Sequence, residues 1–272
     1  MIKFSKDVDM TDWGDGWFRE MSEADIGPCL QILAERDEDD AAAAEATFAR
    51  DLLGYFVVGR GNRVYGVSGA TPIDGTNASY VLGWTAVARD RSTEDVRKLI
   101  QEVVDRLQAA GGRKIFAQVS DYIDPDDGDI YAPMRRSLTE IGFAQEVRHR
   151  DYYDRQESQV IYSLRLRSPQ PIDVIPDRRG IRLTDIDEIA ETDDAYWLSW
   201  ELSEEADVLT REDFERVFDT VRQVSARCIF MAFPSGISAV SNLMQIAGFR
   251  FDGRLLDLYD DGVDELRFRY DF

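Results

Sequence analysis

The residues able to do chemistry are few in kind, and their types and spacing narrow what this chain can do. His149 is the only histidine, so neither a histidine-based nucleophilic triad nor a His-rich zinc site is expected. The run Asp121-Tyr122-Ile123-Asp124-Pro125-Asp126-Asp127-Gly128-Asp129 offers the oxygen ligands that calcium prefers. Its spacing fails, because a calcium loop beginning at Asp124 would place Gly128 at a ligand position and Arg135 where the bidentate glutamate belongs. No metal is expected. A solvated acidic loop that helps attract a cationic amine is the reading carried forward, and the same holds for Arg36-Asp37-Glu38-Asp39-Asp40. The aromatic run Tyr196-Trp197-Leu198-Ser199-Trp200 reads as packing between the halves of the chain, with substrate stacking as the functional alternative.

Charge points the same way. Asp and Glu total 53 against 32 Lys and Arg, a formal net charge of −21 over 272 residues. Such a surface repels phosphate backbones and attracts cations, so no nucleic-acid partner is expected. The acidity also serves solubility, for instance in salt. Cys29 and Cys228 lie far apart in apolar settings and read as buried thiols of a cytoplasmic protein. No stretch approaches ~18 apolar residues, so no membrane span is expected.

The elements that must position these residues follow from periodicity. Trp17 to Met21 reads as a strand, Ser22 to Asp25 as a helix start with a capping box, and the helix continues to Glu35. The acidic run interrupts it before an alanine-rich helix over Ala41–Leu53. Tyr55–Arg60 and Arg63–Gly69 form a hairpin about Gly61-Asn62, and Ser79–Ala88 is a third strand. Val96, Leu99, Ile100, Val103, Val104 and Leu107 mark an amphipathic helix over Thr93–Ala110, which Gly111-Gly112 stops. A strand at Lys114–Val119, a helix at Tyr131–Ile141 and strands at Glu146–Tyr153 and Gln159–Leu166 complete the first half. After a proline-rich linker, Gly180–Thr184 begins again with a strand and a capped helix. A helix (Arg211–Ser225), a strand (Cys228–Phe233), a helix (Ser238–Ala247) and two strands follow.

The halves echo each other. Leu138–Leu166 aligns without gaps to Met244–Phe272, matching Gly142/Gly248, Phe143/Phe249, Arg148/Arg254, Asp151/Asp257, Tyr153/Tyr259 and Asp154/Asp260. Ile115-Phe116 pairs with Ile229-Phe230, and the start at Phe18-Arg19 with Ile181-Arg182.

This order of elements, with Leu-Thr-Glu-Ile-Gly-Phe before Arg-Asp-Tyr-Tyr and again Met-Gln-Ile-Ala-Gly-Phe before Asp-Leu-Tyr-Asp-Asp-Gly, resembles the GNAT acetyltransferases. The resemblance implies an α/β (α+β) fold: a mixed, mostly antiparallel sheet flanked by helices, partially duplicated. Residues 1–167 would form a complete GNAT-like domain and 168–179 a linker. Residues 180–272 would be a truncated copy lacking the central strands and cofactor loop. The activity implied is transfer of an acetyl group from acetyl-CoA to a primary amine of a small molecule or peptide. The backbone around Thr85, Ala86 and Val87 would bind the pantetheine arm. Arg89, Arg91, Ser92, Thr93 and Arg97, at the start of the following helix, would meet the CoA pyrophosphate. The turn at Arg36–Asp40 would border the acceptor.

The match departs from the family at two places. The signature Q/R-x-x-G-x-G/A corresponds to Arg91-Ser92-Thr93-Glu94-Asp95-Val96, with Glu94 and Val96 at the glycine positions. Ser92 and Asp95 also make a capping box, so the helix start carries its own anion. The tyrosine that many relatives place four residues before the glycine of Gly-Phe is Leu138 here, and Met244 in the second copy. Tyr131, Tyr152 and Tyr153 are the nearby substitutes, of which Tyr131 and Tyr153 are carried forward as the candidate acids, and Asp121, just past its strand, is the candidate base. Two functions follow: an N-acetyltransferase, or a catalytically inactive GNAT-like protein that binds a small ligand or a protein partner. Free amides over residues 88–97 favour the first; side-chain caps filling that helix start favour the second.

Overall fold

A computed structural model describes residues 13–170, 180–190, 192, 194–203, 209–237 and 240–272. Most of the proline-rich linker, from Pro171 on, lies outside the described residues. The chain divides into two compact units, 1–145 with 160–168 and 146–159 with 169–272. The division therefore falls within the closing hairpin of the first half, where a cut at the linker was expected.

The first unit contains β1 (Gly16–Glu20), a short 3-10 turn, α1 (Ile26–Ala34), α2 (Glu38–Arg50), β2 (Tyr55–Arg60) and β3 (Arg63–Pro72). β4 (Ser79–Leu82), β5 (Ala86–Val87), α3 (Thr93–Ala109), β6 (Lys114–Ser120) and α4 (Ala132–Ile141) follow; of the closing hairpin strands, most of β8 (Glu157–Arg165) belongs to this unit and most of β7 (Ala144–Asp154) to the other. In the sheet, β1, β2, β3, β4, β6 and β8 are successive neighbours, and β5 pairs with β3. β4 and β6 are parallel, with α3 as the crossover between them.

Local chemistry explains the boundaries. The acidic run interrupts the helices as expected and also starts the second: α1 ends at Ala34, the Asp37 side chain accepts from the amides of Asp39 and Asp40, and α2 starts at Glu38 where Ala41 was expected. Three carboxylates in a first turn suit the positive end of the helix dipole. The expected third strand is broken in two. Gly83 admits the Tyr55 ring so closely that a Cβ there would lie 2.1 Å from the Tyr55 hydroxyl. The Trp84 amide donates to that hydroxyl at 3.4 Å. The strand leaves the ladder over Gly83–Thr85 and resumes as β5.

The second unit holds β9 (Gly180–Glu188), β10 (Ala195–Ser203), α5 (Arg211–Arg222), β11 (Cys228–Pro234), α6 (Val240–Ile246), β12 (Arg250–Asp260) and β13 (Val263–Asp271). Their order is β12-β13-β11-β10-β9. The capped helix expected after Thr184 is absent: β9 continues to Glu188 and pairs with β10. The aromatic run lies in β10 and is engaged within this unit. Trp200 stacks on Phe233 at 4.8 Å and Trp197 on Phe230 at 6.2 Å.

The duplication is visible in register. Tyr80 sits opposite Ile115 and Val81 opposite Phe116 in the parallel pair β4/β6. Tyr196 sits opposite Ile229 and Trp197 opposite Phe230 in the parallel pair β10/β11. So β10 is the counterpart of β4, and the second copy keeps a central strand that it was expected to lack. Backbone irregularities repeat too. Asp151 and Asp257 have φ of 48° and 50°, and each carboxylate accepts the amide five residues on, from Gln156 and Gly262. Two such left-handed aspartates at matched positions are not demanded by hairpins in general.

Gly142 and Gly248 end α4 and α6 with φ of 108° and 90°. The next residue closes each cap, Phe143 N donating to Leu138 O at 3.0 Å and Phe249 N to Met244 O at 2.9 Å. Both phenylalanines are buried, so the Gly-Phe pair is a stop followed by a core anchor. Gly142→Ala has room, its nearest neighbour being Leu164 at 3.9 Å, whereas Gly248→Ala would meet Tyr270 at 3.2 Å. Gly142→Ala is expected to lower unfolding stability by about 1–2 kcal/mol from backbone conformation alone, and Gly248→Ala by more, both read from urea midpoints.

Candidate ligand site at the broken strand and helix start

The expected cofactor residues converge on one stretch of the first unit, from the break in the third strand to the first turn of α3. Their groups are already committed. The Thr85 hydroxyl bonds the Ser68 hydroxyl at 2.7 Å and donates to Gly83 O at 3.1 Å. Ala86 and Val87 pair with Val67 and Gly66 of β3, and their side chains are buried in the core. Glu35, which no sequence signal singled out, and Arg36, read only as part of the turn bordering the acceptor, close over this stretch. The Glu35 carboxylate accepts the Arg89 amide at 3.0 Å, and the Arg36 guanidinium donates to Val87 O at 3.4 Å. Burial and the neighbouring Arg89 hold the Arg36 guanidinium below its ordinary pKa.

The helix start is capped from within. Asp95 accepts from the Ser92 amide and hydroxyl, each at 3.0 Å, while the Asp95 amide donates to the Ser92 hydroxyl at 3.3 Å. The amides of Ala88 and Arg91 go to Tyr65 O and Ala88 O. Thr93 and Glu94 carry the amides that remain, beside two carboxylates. The cations are occupied as well. Arg97 forms a two-pronged pair with Glu94 at 2.8 and 2.6 Å, and Arg89 reaches Asp127 at 3.2 Å. The Arg91 guanidinium carbon lies over the Tyr65 ring, 3.9 Å from its centre. A pyrophosphate needs converging unpaired donors, and this donor set does not fit the pyrophosphate of acetyl-CoA. The second copy repeats the arrangement: at the start of α5, Asp213 accepts from the Thr210 amide at 2.9 Å and its hydroxyl at 2.8 Å.

The candidate acids and base are not gathered around a reacting atom. The Tyr131 hydroxyl bonds Asp40 at 3.0 Å and Asp37 at 3.2 Å. Burial, then the two carboxylates, push its pKa far above the ordinary tyrosine value. A hydroxyl so held is a poor proton donor to a leaving group. Tyr153 belongs to the second unit, where Gln159 donates to its hydroxyl at 3.4 Å. Asp121 stands just past β6, half-buried. In the acidic loop, Asp124 accepts the amides of Asp126 and Asp127, both at 2.8 Å, and Arg135 pairs with Asp129. Among the described residues no group of three or more His, Cys, Asp or Glu is placed to hold a metal ion. None of their helices is long and apolar enough to cross a membrane.

A broken central strand beside a parallel neighbour, a crossover helix between them, and a glycine-capped helix before the closing hairpin define a GNAT-like α/β fold, here partly duplicated. Comparison with solved structures returns acetyltransferases of that family. A GNAT-family protein from Desulfovibrio desulfuricans is 25% identical, covering 56% of this chain and 99% of its own, with a TM-score of 0.49. The ribosomal-protein-alanine N-acetyltransferase of Brucella melitensis is 15% identical over 55% of this chain and 99% of its own, with a TM-score of 0.43. The aminoglycoside 6′-N-acetyltransferase of Enterococcus faecium is 14% identical over 57% of this chain and 99% of its own, also at 0.43. No family model and no curated protein matches the sequence.

Tyr131 supplies a pH test. Its folded-state pKa is raised, so the neutral hydroxyl contributes stability that is present below the unfolded value of 10 and lost as pH rises above it. Tyr131→Phe is expected to cost ~2 kcal/mol at neutral pH, because bonds to charged groups are lost. The gap to wild type should narrow in denaturation curves taken above pH 10.

His149 supplies a second test. It is fully buried, with Nδ1 at 2.5 Å from Asp252 and Nε2 at 3.2 Å from an Arg267 nitrogen. Burial lowers its pKa, opposed by the hydrogen bond to Asp252. Its contribution to stability is therefore present above the unfolded value of 6.5 and lost as pH falls. The imidazole NMR resonances of this lone histidine should titrate with a midpoint below 6.5.

Proposed function

We propose that this protein is a GNAT-fold ligand-binding protein that does not transfer acetyl groups from acetyl-CoA. The observation that carries this reading is the helix start of α3, filled by the Ser92–Asp95 capping box and flanked by the Glu35 carboxylate on the Arg89 amide. An anion-binding helix start loses its use when its own side chains supply the anion. The matching Thr210–Asp213 cap on α5 supports it, since the corresponding helix start of the second copy also supplies its own anion. So do Leu138 and Met244, fully buried where a proton donor was expected. The ligand class is a cationic amine, of a small molecule or a peptide, drawn by the −21 charge and the acidic first turn of α2. The two unpaired, buried cysteines suit a reducing cytoplasm.

One observation favours the second reading, an N-acetyltransferase acting on a primary amine. The break at Gly83–Thr85 beside the parallel pair β4/β6 is where the family resemblance puts the pantetheine arm. That reading requires Arg36 to leave Val87 O and Glu35 to leave the Arg89 amide.

Calorimetric titration of the purified protein with acetyl-CoA and with CoA, at low and high salt, separates the two. No binding heat is expected from the folded protein under either condition. Micromolar binding that is lost in Arg97→Glu would overturn the proposal and establish the transferase reading.

A further inference from the structure

Residues 146–154 of β7 belong to the second unit without being a strand of its sheet, whose order is β12-β13-β11-β10-β9. Side chains hold them there instead. Glu146 accepts the Leu256 amide at 2.8 Å, and Arg227 donates to the carbonyls of Tyr152 and Tyr153 at 3.3 and 3.4 Å. Between these two fastenings stands His149, fully buried, in a chain of titratable side chains for which the ligand reading has no use. The Tyr259 hydroxyl donates to Glu265 at 3.1 Å, and Glu265 accepts from Arg267 Nε at 2.7 Å. Arg267 then reaches His149 Nε2 at 3.2 Å, and His149 Nδ1 lies 2.5 Å from Asp252.

Chemistry fixes the direction of each bond. A guanidinium can only donate, so Nε2 must accept, and the imidazole proton sits on Nδ1, where it is donated to the Asp252 carboxylate. Every link is satisfied while His149 is neutral. A second proton has one place to go, Nε2, and there it confronts Arg267: a hydrogen bond is lost and two cations face each other in a buried site. Asp252, on β12, keeps its bond to Nδ1 in either state. From β13, Glu265 is committed to Arg267 and Tyr259, and Arg269 lies over the Phe230 ring and donates to Arg150 O. β11 faces the imidazole with the Phe230 ring at 5.9 Å, and its own strand with the Tyr152 ring at 6.1 Å. Arg267 has little freedom to withdraw, being held by Glu265 and lying over the Trp197 ring at 5.7 Å.

We propose that His149 is a proton-operated latch: protonation of Nε2 breaks its bond to Arg267 and loosens the hold of the second unit on residues 146–149 of β7, while the remaining fold stays closed. Burial lowers the pKa of the imidazole, the hydrogen bond to Asp252 opposes that, and Arg267 adds to the lowering. The latch is therefore shut above the unfolded value of 6.5 and opens as pH falls below it. Carboxylates of ordinary pKa stay largely ionised down to about pH 5, so the histidine has that window to itself. The inference does not rest on the ligand reading above, since none of its groups lies at the α3 start.

The test is amide hydrogen exchange of the full chain, read by mass spectrometry between about pH 7.5 and pH 5 and corrected for the intrinsic pH dependence of exchange. The midpoint of His149 is followed in parallel by NMR. Opening of residues 146–149 should rise below that midpoint by up to about tenfold per pH unit, as one linked proton requires, while α3 keeps its protection. His149→Gln can accept from Arg267 and donate to Asp252 at every pH, so its β7 should stay protected throughout. Arg267→Gln is the second variant: the histidine midpoint should move up, and acid should no longer speed exchange in this segment. A wild-type segment indifferent to pH, an acid response retained in either folded variant, or a response shared by both units at once would overturn the latch. Titration with acetyl-CoA reads the capped helix start instead, so either proposal can fail while the other stands.

Discussion

Each copy of the fold depends on a parallel strand pair that no hairpin can align, and an arginine stands at the foot of each pair. Arg113, fully buried just before β6, donates from Nε to Asn77 O at 2.7 Å and reaches the Ser79 hydroxyl at 2.5 Å. Its amide and carbonyl bond Ala78 O and Leu166 N. One residue thus ties the start of β4, the start of β6 and the end of β8. Arg227, one residue before β11, repeats this with the Asp194 carbonyl and carboxylate and the Phe272 amide. Parallel pairing needs a long crossover, so its register must come from contacts distant in sequence. A guanidinium with five fixed donors serves that purpose where an ammonium could not.

From that register follows the position of the crossover helices, and from the helices the state of the presumed cofactor site. After the break at Gly83 the chain returns to the sheet as β5 and reaches α3 at Thr93, so the segment 87–89 passes the end of α1. There Glu35 and Arg36 bond the backbone that a cofactor would otherwise meet. The closure is a set of individually modest hydrogen bonds, each worth about 1–3 kcal/mol when a charge takes part. Together with the Ser92–Asp95 cap they replace an anion site by an internally neutralised helix start.

The acidic surface and this closure are consistent with each other. A chain carrying −21 formal charge meets polyanionic cofactors at an electrostatic disadvantage. Several cations are engaged by aromatic rings or carboxylates: Arg91 over Tyr65, Arg106 over Phe18 and Phe56, and, at the surface, Arg97 on Glu94. The duplicated copy shows the same economy, with Arg267 over Trp197 and Arg269 over Phe230.

Local patterns in the sequence determined most of the helices, the hairpin at Gly61, the Gly-Phe stops and the Ser92–Asp95 cap, because each depends on residues within a few positions of one another. The aligned Asp151 and Asp257 likewise announced the repeat. Contacts distant in sequence decided the rest. The third strand reads as one continuous run, and only the Tyr55 ring pressed on Gly83 splits it. The second half of β9 looked like the start of a capped helix because Thr184 to Asp187 carry cap-like chemistry, which pairing with β10 overrode. The role of Glu35, the bond of Arg36 to Val87 and the pairing of Tyr131 with Asp37 and Asp40 were not legible in the sequence, since up to 94 residues separate the partners. The composition of a site is local information, but whether its donors are free is settled by whatever the fold brings against them.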